Sequence, residues 1–257
     1  MLKCGLTSIS FRSHSRSEIV AAARSAGLGV MEWGSDVHLC QNDSEAISEI
    51  LALSDAHGIE TPTYGTYYRI CETPIEDMAP LMDTAETIGA KTLRIWGGRG
   101  FVTPSDTEKW ARLVSEARQL AEMAERRGLT LALECHIGTV SEDAENALRF
   151  ITDVGSRALR SYWQPNQRLT KEANLTAIKL LAPYVDCIHA FNWSGTEKYP
   201  LREAKGVWIE YLKAIECETK KRDIPILLEF MPDGKMESLS AEAKALIEIV
   251  AEAKTQE

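Results

Sequence analysis

The chain has 257 residues, 44% of them hydrophobic, and a formal net charge of -9 from 29 basic and 38 acidic side chains. This acidic balance argues against a nucleic-acid partner, because binding to phosphates needs clustered Lys and Arg. The N-terminus lacks the sections of a signal peptide, and no apolar run approaches the roughly 20 residues of a membrane span. We therefore expect a cytoplasmic protein with no membrane partner.

Strand and helix patterns alternate along the whole chain. Residues 2–10 predict a first strand, and residues 16–27 predict a helix that ends at a glycine. The same unit then recurs, with predicted strands at 30–33, 60–64, 92–96, 130–135, 159–163, 185–191 and 224–230 and predicted helices at 44–57, 76–89, 106–127, 142–153, 170–182, 204–221 and 239–254.

Eight strand-helix units predict the α/β class and one (β/α)8 barrel domain over residues 1–257. A doubly wound open sheet is the structural alternative. No G-x-G-x-x-G motif follows the first strand, however, and the count of eight favours closure. The longer loops follow the strands, which predicts that the functional loops gather on the carboxyl face of the barrel.

Three polar residues stand at or near the ends of apolar runs: Glu134, His189 and Glu229. Each is expected at the carboxyl end of a strand, where such a barrel builds its active site. A buried carboxylate is costly unless it is paired or bound to a metal. The three residues therefore predict a divalent metal site or an acid/base site for chemistry on a polyhydroxy carbonyl compound. Strand-end salt bridges and a core histidine are the structural alternatives.

Two further residues are expected to contact a substrate near these strand ends. His136 lies two residues beyond Glu134 and so on the same side of the strand, where it can donate or accept a hydrogen bond. Trp96 ends another strand, and an aromatic ring at a barrel mouth suits the apolar face of a sugar.

Glu32 and Trp33 end the second predicted strand, where they can bind a hydroxyl and a face of a sugar. An arginine salt bridge inside the barrel is the alternative for Glu32. Arg94 alternates with apolar neighbours on the fourth strand and is a natural partner for Glu32 or for an anionic group of a substrate.

Short sequences at several strand ends are similar to those of a known superfamily. The chain resembles the xylose isomerase-like TIM-barrel superfamily, which includes sugar isomerases, ketose 3-epimerases, inosose and dehydroshikimate dehydratases and endonuclease IV-type nucleases. The opening looks like the dehydroshikimate dehydratase branch. The matching segments are Leu6–Arg12, Met31–Gly34, Ala85–Ile95, Leu133–His136, Ile188–Phe191 and Leu227–Phe230.

In that superfamily a Glu, an Asp, a His and a Glu at four strand ends bind one divalent metal. The resemblance places Glu134, His189 and Glu229 in three of these positions. Where the family has an Asp and, three residues later, a His, this chain has Gln164 and Gln167. We expect Gln164 to be the fourth ligand of a Mn, Co, Mg or Zn ion and Gln167 to contact the substrate.

The loss of one anionic ligand is expected to weaken divalent binding. A metal-free site, in which Glu134 and Glu229 alone move the proton, is the alternative. The resemblance implies a sugar or keto-sugar isomerase or epimerase in which these two glutamates transfer a proton alpha to a carbonyl, with a small carbohydrate as partner.

Two other functions stay open from the sequence. A dehydratase or other lyase acting on a polyol or keto acid uses the same base and metal, and a non-catalytic sugar-binding barrel is suggested by the two glutamines. The nuclease branch is disfavoured, because its three zinc ions need more ligands than the five histidines here offer. Whether the chain forms a homo-oligomer is also left open.

Overall fold

A computed structural model describes residues 2–219 and 223–254. Within them, eight parallel strands close into a barrel in which each strand pairs with its neighbours along the chain and the last pairs with the first. The eight barrel strands are β1 Leu2–Thr7, β2 Val30–Gly34, β3 Glu60–Arg69, β4 Thr92–Trp96, β5 Thr130–Glu134, β6 Leu159–Trp163, β7 Val185–Ala190 and β10 Ile224–Leu228. Between β7 and β10, the strands β8 Trp193–Ser194 and β9 Glu197–Lys198 form a short antiparallel hairpin outside the barrel sheet.

The helices between the strands cover the outside of the barrel. In the described part of the chain they are α1 Arg16–Ser25, α2 Ser44–His57, α3 Met78–Thr87, α4 Thr107–Arg127, α5 Ala144–Val154, α6 Lys171–Leu181, α7 Lys205–Thr219 and α8 Leu239–Lys254. Glycines with positive φ end α2, α4 and α5, as the sequence pattern predicted for the first two. None of these helices is long and apolar enough to cross a lipid bilayer. The prediction of a (β/α)8 barrel is confirmed.

Some predicted boundaries were wrong. The first strand ends at Thr7, because a 3-10 turn occupies Ser8–Phe11, and β3 continues past residue 64 to Arg69. A register shift after Gly65 lets β3 pair with β4 again at Arg69. The predicted helix 204–221 begins at Lys205, and its residues 220 and 221 lie outside the described residues.

The interior of the barrel is layered. Five residues, one from each of five strands, form a separate buried cluster: Val30, Ala132, Tyr162, Cys187 and Leu227. Side chains two residues apart on a strand point to the same face, so the next layer towards the carboxyl ends consists of the residues two positions later. These are Glu32, Glu134, Gln164, His189 and Glu229. A mostly apolar floor thus lies beneath a polar layer.

Gly5 faces this floor and has no room for a side chain. A Cβ there would lie 2.5 Å from the Val30 carbonyl oxygen and 2.7 Å from Leu227. We expect Gly5→Ala to lower the free energy of unfolding by about 1–3 kcal/mol through overpacking. At Gly29 a Cβ would meet nothing within 4 Å, so Gly29→Ala is expected to change the free energy of unfolding by no more than about 0.5 kcal/mol. Urea unfolding of both variants measures these changes, and equal losses of stability would contradict the tight fit at Gly5.

Candidate active site

A cavity of about 650 Å³ lies where the strands of the barrel end. This volume falls in the range of small-molecule sites. Its wall contains most of the residues that the sequence predicted for the site: Arg94, Trp96, Glu134, His136, Gln164, Gln167 and Glu229. The carboxyl face of the barrel therefore brings these residues together around one space.

Glu134, His189 and Glu229 form a buried cluster beside this cavity. Nδ1 of His189 lies 3.5 Å from Glu229 Oε2 and 3.9 Å from Glu134 Oε1. One ligand atom from each of the three residues can be chosen so that all lie within 4.8 Å of one another. Gln164 Oε1 is 3.0 Å from the same Nδ1. Two carboxylates, an imidazole and a nearby amide oxygen form a donor set that fits a divalent cation.

The carboxylate of Glu134 is oriented by two groups from β4. The indole N–H of Trp96 donates a hydrogen bond to Oε2 of Glu134. Nε of Arg94 lies 3.5 Å from the same oxygen. Because Oε2 is occupied in this way, Oε1 is the oxygen that is directed towards His189.

The Trp96 ring is held between two side chains. The Arg69 guanidinium lies 3.9 Å from the centre of the indole, and the His136 ring stacks on it at 4.6 Å. Nδ1 of His136 is 2.7 Å from the Ile137 carbonyl oxygen. A carbonyl oxygen only accepts, so this nitrogen carries the hydrogen and Nε2 is left as an acceptor. His136 can therefore accept a hydrogen bond from a hydroxyl group in the cavity.

Arg94 is a buried cation in the cavity wall. It lies near Glu134 and, at 3.9 Å, near Glu32. Burial acts to lower the pKa of Arg94, but the charges of Glu134 and Glu32 outweigh it and hold the pKa above its ordinary value. Among the described residues, its Nε and Nη2 atoms have no hydrogen-bond partner. Arg94 is thus positively charged, and its Nε–H and Nη2–H groups can still donate hydrogen bonds to another acceptor.

Glu32 and Trp33 are not in the cavity wall, contrary to the expected substrate contacts. Both are fully buried. The alternation of β2 turns Glu32 into the barrel, where it forms the ion pair with Arg94, and turns Trp33 into the main hydrophobic core. Burial acts to raise the pKa of Glu32, but its contact with His189 and the charge of Arg94 outweigh it and lower the pKa to about 2.

The cluster shifts the proton affinities of Glu229 and His189. Burial raises the pKa of Glu229, and repulsion from Glu134 adds to this, although the His189 charge opposes it. Burial acts to lower the pKa of His189, but the charge of Glu229 and the contact with Glu32 raise it above its ordinary value. Glu229 is therefore suited to carry a proton.

The mouth of the cavity includes aromatic residues that the sequence pattern did not predict as site residues. Tyr67 lies on the unpredicted extension of β3, and Phe230 directly follows Glu229. Phe230 has a φ of 55°, and its N–H donates a 2.8 Å hydrogen bond to Ser10. Lys198 Nζ lies 4.4 Å from the centre of the Phe230 ring. The tyrosines within residues 64–68 indicate a longer strand, whereas a positive φ at Phe has no sequence signal.

Several solved structures share this fold. The probable 3-DHS dehydratase AsbF of Bacillus anthracis, involved in petrobactin synthesis, is 20% identical, with a TM-score of 0.75 over 96% of this chain and 99% of that chain. A xylose isomerase-like TIM barrel protein of Mycobacterium smegmatis in complex with magnesium is 13% identical, with a TM-score of 0.74 over 98% and 97%. D-allulose 3-epimerase of Methylomonas sp. is 13% identical, with a TM-score of 0.72 over 96% and 97%.

At these identities the structural neighbours show the fold alone. No curated protein sequence matches the chain. A family model described as a xylose isomerase-like TIM barrel matches residues 20–190, which is more than half of the sequence. The chain belongs to the xylose isomerase-like TIM barrel family.

Proposed function

We propose that the protein is an isomerase or epimerase of a sugar or keto-sugar, with Glu134 and Glu229 transferring a proton alpha to a carbonyl. One observation carries this proposal: two carboxylates, at the ends of β5 and β10, converge with His189 beside a single cavity. An acid and a base on one substrate are what such a proton transfer requires. The epimerase among the structural neighbours supports the reaction class.

We infer that one divalent ion, of Mn, Co, Mg or Zn, is held by Glu134, Gln164, His189 and Glu229. When bound, such an ion polarises the carbonyl and hydroxyl oxygens of a substrate. The magnesium complex of the Mycobacterium smegmatis neighbour supports a metal in this fold.

The protein's own residues perform the proton transfer. Glu134, held by Trp96 with Oε1 towards the cluster, removes the proton, and the electron pair of the C–H bond moves towards the carbonyl oxygen. Glu229, whose buried carboxyl group has a raised pKa in the metal-free cluster, returns a proton to the opposite face of the same carbon, which gives the epimer. In an isomerase the hydroxyl proton of that carbon first moves to the former carbonyl oxygen, and the proton is returned to the neighbouring carbon that carried the carbonyl. His136 and Gln167 in the cavity wall bind hydroxyl groups.

A dehydratase acting on a polyol or keto acid is the second candidate. The observation that favours it is Arg94, which is a buried cation of the cavity wall with donor atoms left over. A carboxylate of the substrate would satisfy these donors. The same base then removes the alpha proton, the electron pair forms a C=C bond, and the beta hydroxyl leaves as water after taking a proton from Glu229.

Exchange of substrate protons with solvent deuterium tests both candidates. The protein, stripped with a chelator or loaded with each of the four metals, is incubated in D₂O with a panel of ketopentoses and ketohexoses, including D-allulose, and with 3-DHS. NMR is expected to show loss of one C–H signal with a new sugar isomer, whereas loss of water identifies the dehydratase. Sugar binding by calorimetry without any exchange would contradict both and favour a binding protein.

Gln164→Asp is expected to tighten divalent binding about tenfold or more. Even in bulk water, a unit charge about 4 Å from a divalent cation contributes roughly 2 kcal/mol. Gln164 is beside His189 Nδ1, so its replacement places the charge within the ligand set. Calorimetric titration with Mn²⁺ measures the change. Gln167→Asp adds the same charge outside the ligand set, and an equal gain there would contradict the role of Gln164.

A further inference from the structure

Glu32 lies at the centre of a buried network next to the candidate metal site. Its Oε1 accepts a 3.2 Å hydrogen bond from the Thr7 hydroxyl. Its Oε2 accepts a hydrogen bond from the Tyr162 hydroxyl. Nη1 of Arg94 lies 3.9 Å from Oε1. Groups from three other strands therefore hold this carboxylate in one place, and none of its contacts depends on a ligand.

The two ring nitrogens of His189 face different surroundings. Nδ1 faces Gln164, Glu229 and Glu134, which are the other residues of the candidate metal site. Nε2 lies 3.6 Å from Oε1 of Glu32. Within the described residues Nε2 makes no hydrogen bond, and the carboxylate that lies within 4 Å of it there is that of Glu32.

The packing leaves Glu32 little room to move away from His189. Gly65 on β3 lies against its carboxylate, and a Cβ at this position would be 2.7 Å from Oε1 of Glu32. The Tyr162 side chain, whose hydroxyl donates to Glu32, also meets the His189 ring edge to face, with ring centres 4.7 Å apart. The absence of a side chain at Gly65 thus makes the space that Glu32 occupies.

We propose that Glu32 is a positioning residue for His189. When Nδ1 binds the metal, the hydrogen of the ring is on Nε2, and the Glu32 carboxylate beside it accepts this hydrogen and holds the imidazole in the ligating orientation. A carboxylate that accepts the second N–H of a ligand histidine acts in this way at many metal sites. The inference rests on the proposed function only for the role of His189 as a ligand, and Glu32 itself contacts neither substrate nor metal.

The Nε2–H hydrogen bond of His189 is the direct readout. Protein labelled with ¹⁵N-histidine is loaded with diamagnetic Zn²⁺, so that the metal takes Nδ1 and the hydrogen of the ring is on Nε2, and His189→Gln identifies the signal. We expect a downfield-shifted Nε2–H proton resonance in wild type and in Glu32→Gln, which keeps an acceptor. In Glu32→Met this acceptor is lost, and the resonance is expected to move upfield.

Metal affinity is the second readout. Calorimetric titration with Co²⁺ is expected to show a loss of about 10–100-fold in Glu32→Met and recovery of most of that loss in Glu32→Gln. A purely structural role would lower stability in Glu32→Met without moving the Nε2–H resonance. An unchanged Nε2–H resonance in Glu32→Met overturns the proposal.

Gly65→Ala keeps the test decisive if Glu32→Met does not fold. It displaces the Glu32 carboxylate without removing an ionisable group, and the same upfield movement of the Nε2–H resonance is expected. An unmoved resonance in Gly65→Ala would overturn the proposal. The NMR measurement uses no substrate, so its result is independent of whether Glu134 and Glu229 catalyse proton transfer, and a wild type without a zinc-shifted His189 signal would contradict the metal site on which the inference rests.

Discussion

Glu134→Gln and Glu229→Gln are each expected to lower the rate of substrate deuterium exchange by about 10²–10⁴-fold, the usual contribution of a general acid or base. A glutamine nearly preserves the shape of the side chain but can neither take nor give the proton. The NMR exchange assay, run at saturating metal with the metal content of each variant measured, provides the rates. Loss of exchange in a variant that keeps its metal assigns the defect to proton transfer.

A matched variant separates this effect from a general change of charge in the cavity. Glu145 lies in the cavity wall at the start of α5, exposed to solvent and away from the cluster. Glu145→Gln removes the same charge and is expected to change the exchange rate less than threefold. If Glu134→Gln and Glu229→Gln exchange as fast as Glu145→Gln, the proposed acid/base pair is wrong.

Arg94→Met is expected to lower the free energy of unfolding by about 3–5 kcal/mol. The guanidinium lies between Glu32 and Glu134, and all three side chains are buried. Its removal leaves two buried carboxylates without the cation between them, so that the hydrogen bonds of Glu32 and Glu134 offset only part of their desolvation. Urea unfolding of the metal-free protein measures the loss.

Arg12 offers the comparison for this prediction. It pairs with Asp36 at 2.6 Å, but its side chain is 40% exposed, so Arg12→Met is expected to cost only about 0–1 kcal/mol. The double variant Glu32→Met/Arg94→Met is expected to lose less than the sum of its single variants, because both charges of one pair are removed together. A loss in Arg94→Met no larger than that in Arg12→Met would contradict the role of the buried pair.

Much of this site follows from one rule of strand geometry. Apolar runs that end in a polar residue placed Glu134, His189 and Glu229 at the carboxyl ends of strands, and the barrel brings those ends together. The Glu32–Arg94 salt bridge was an alternative reading of the sequence and is present. To prefer the salt bridge over a substrate contact, one must know that the Glu32 side chain of β2 points into the barrel below the cavity. The sequence of one strand does not define its orientation relative to the other strands.

Other features depend on contacts between distant segments. The stack of Arg69, Trp96 and His136 forms only because β3 runs past its predicted end and reaches the end of β4. The positive φ of Phe230 is imposed by the chain around it, since phenylalanine has no preference for this conformation. Such contacts are set by tertiary packing: the tyrosines within residues 64–68 indicate a longer strand, but no local pattern shows which side chains it brings together.

The mostly apolar floor beneath the polar layer separates most of the barrel interior into two parts. Its side chains, such as Ala132 and Leu227, are fully buried below the ionisable groups, and the floor residue Tyr162 joins the two parts through its hydrogen bond to Glu32. Loops on the carboxyl side could therefore be exchanged to alter selectivity while the amino-terminal half, with Tyr162 kept, is optimised for heat resistance. This division would make the chain a practical scaffold for engineering, since gains in robustness and changes in selectivity could be selected in separate libraries and then combined.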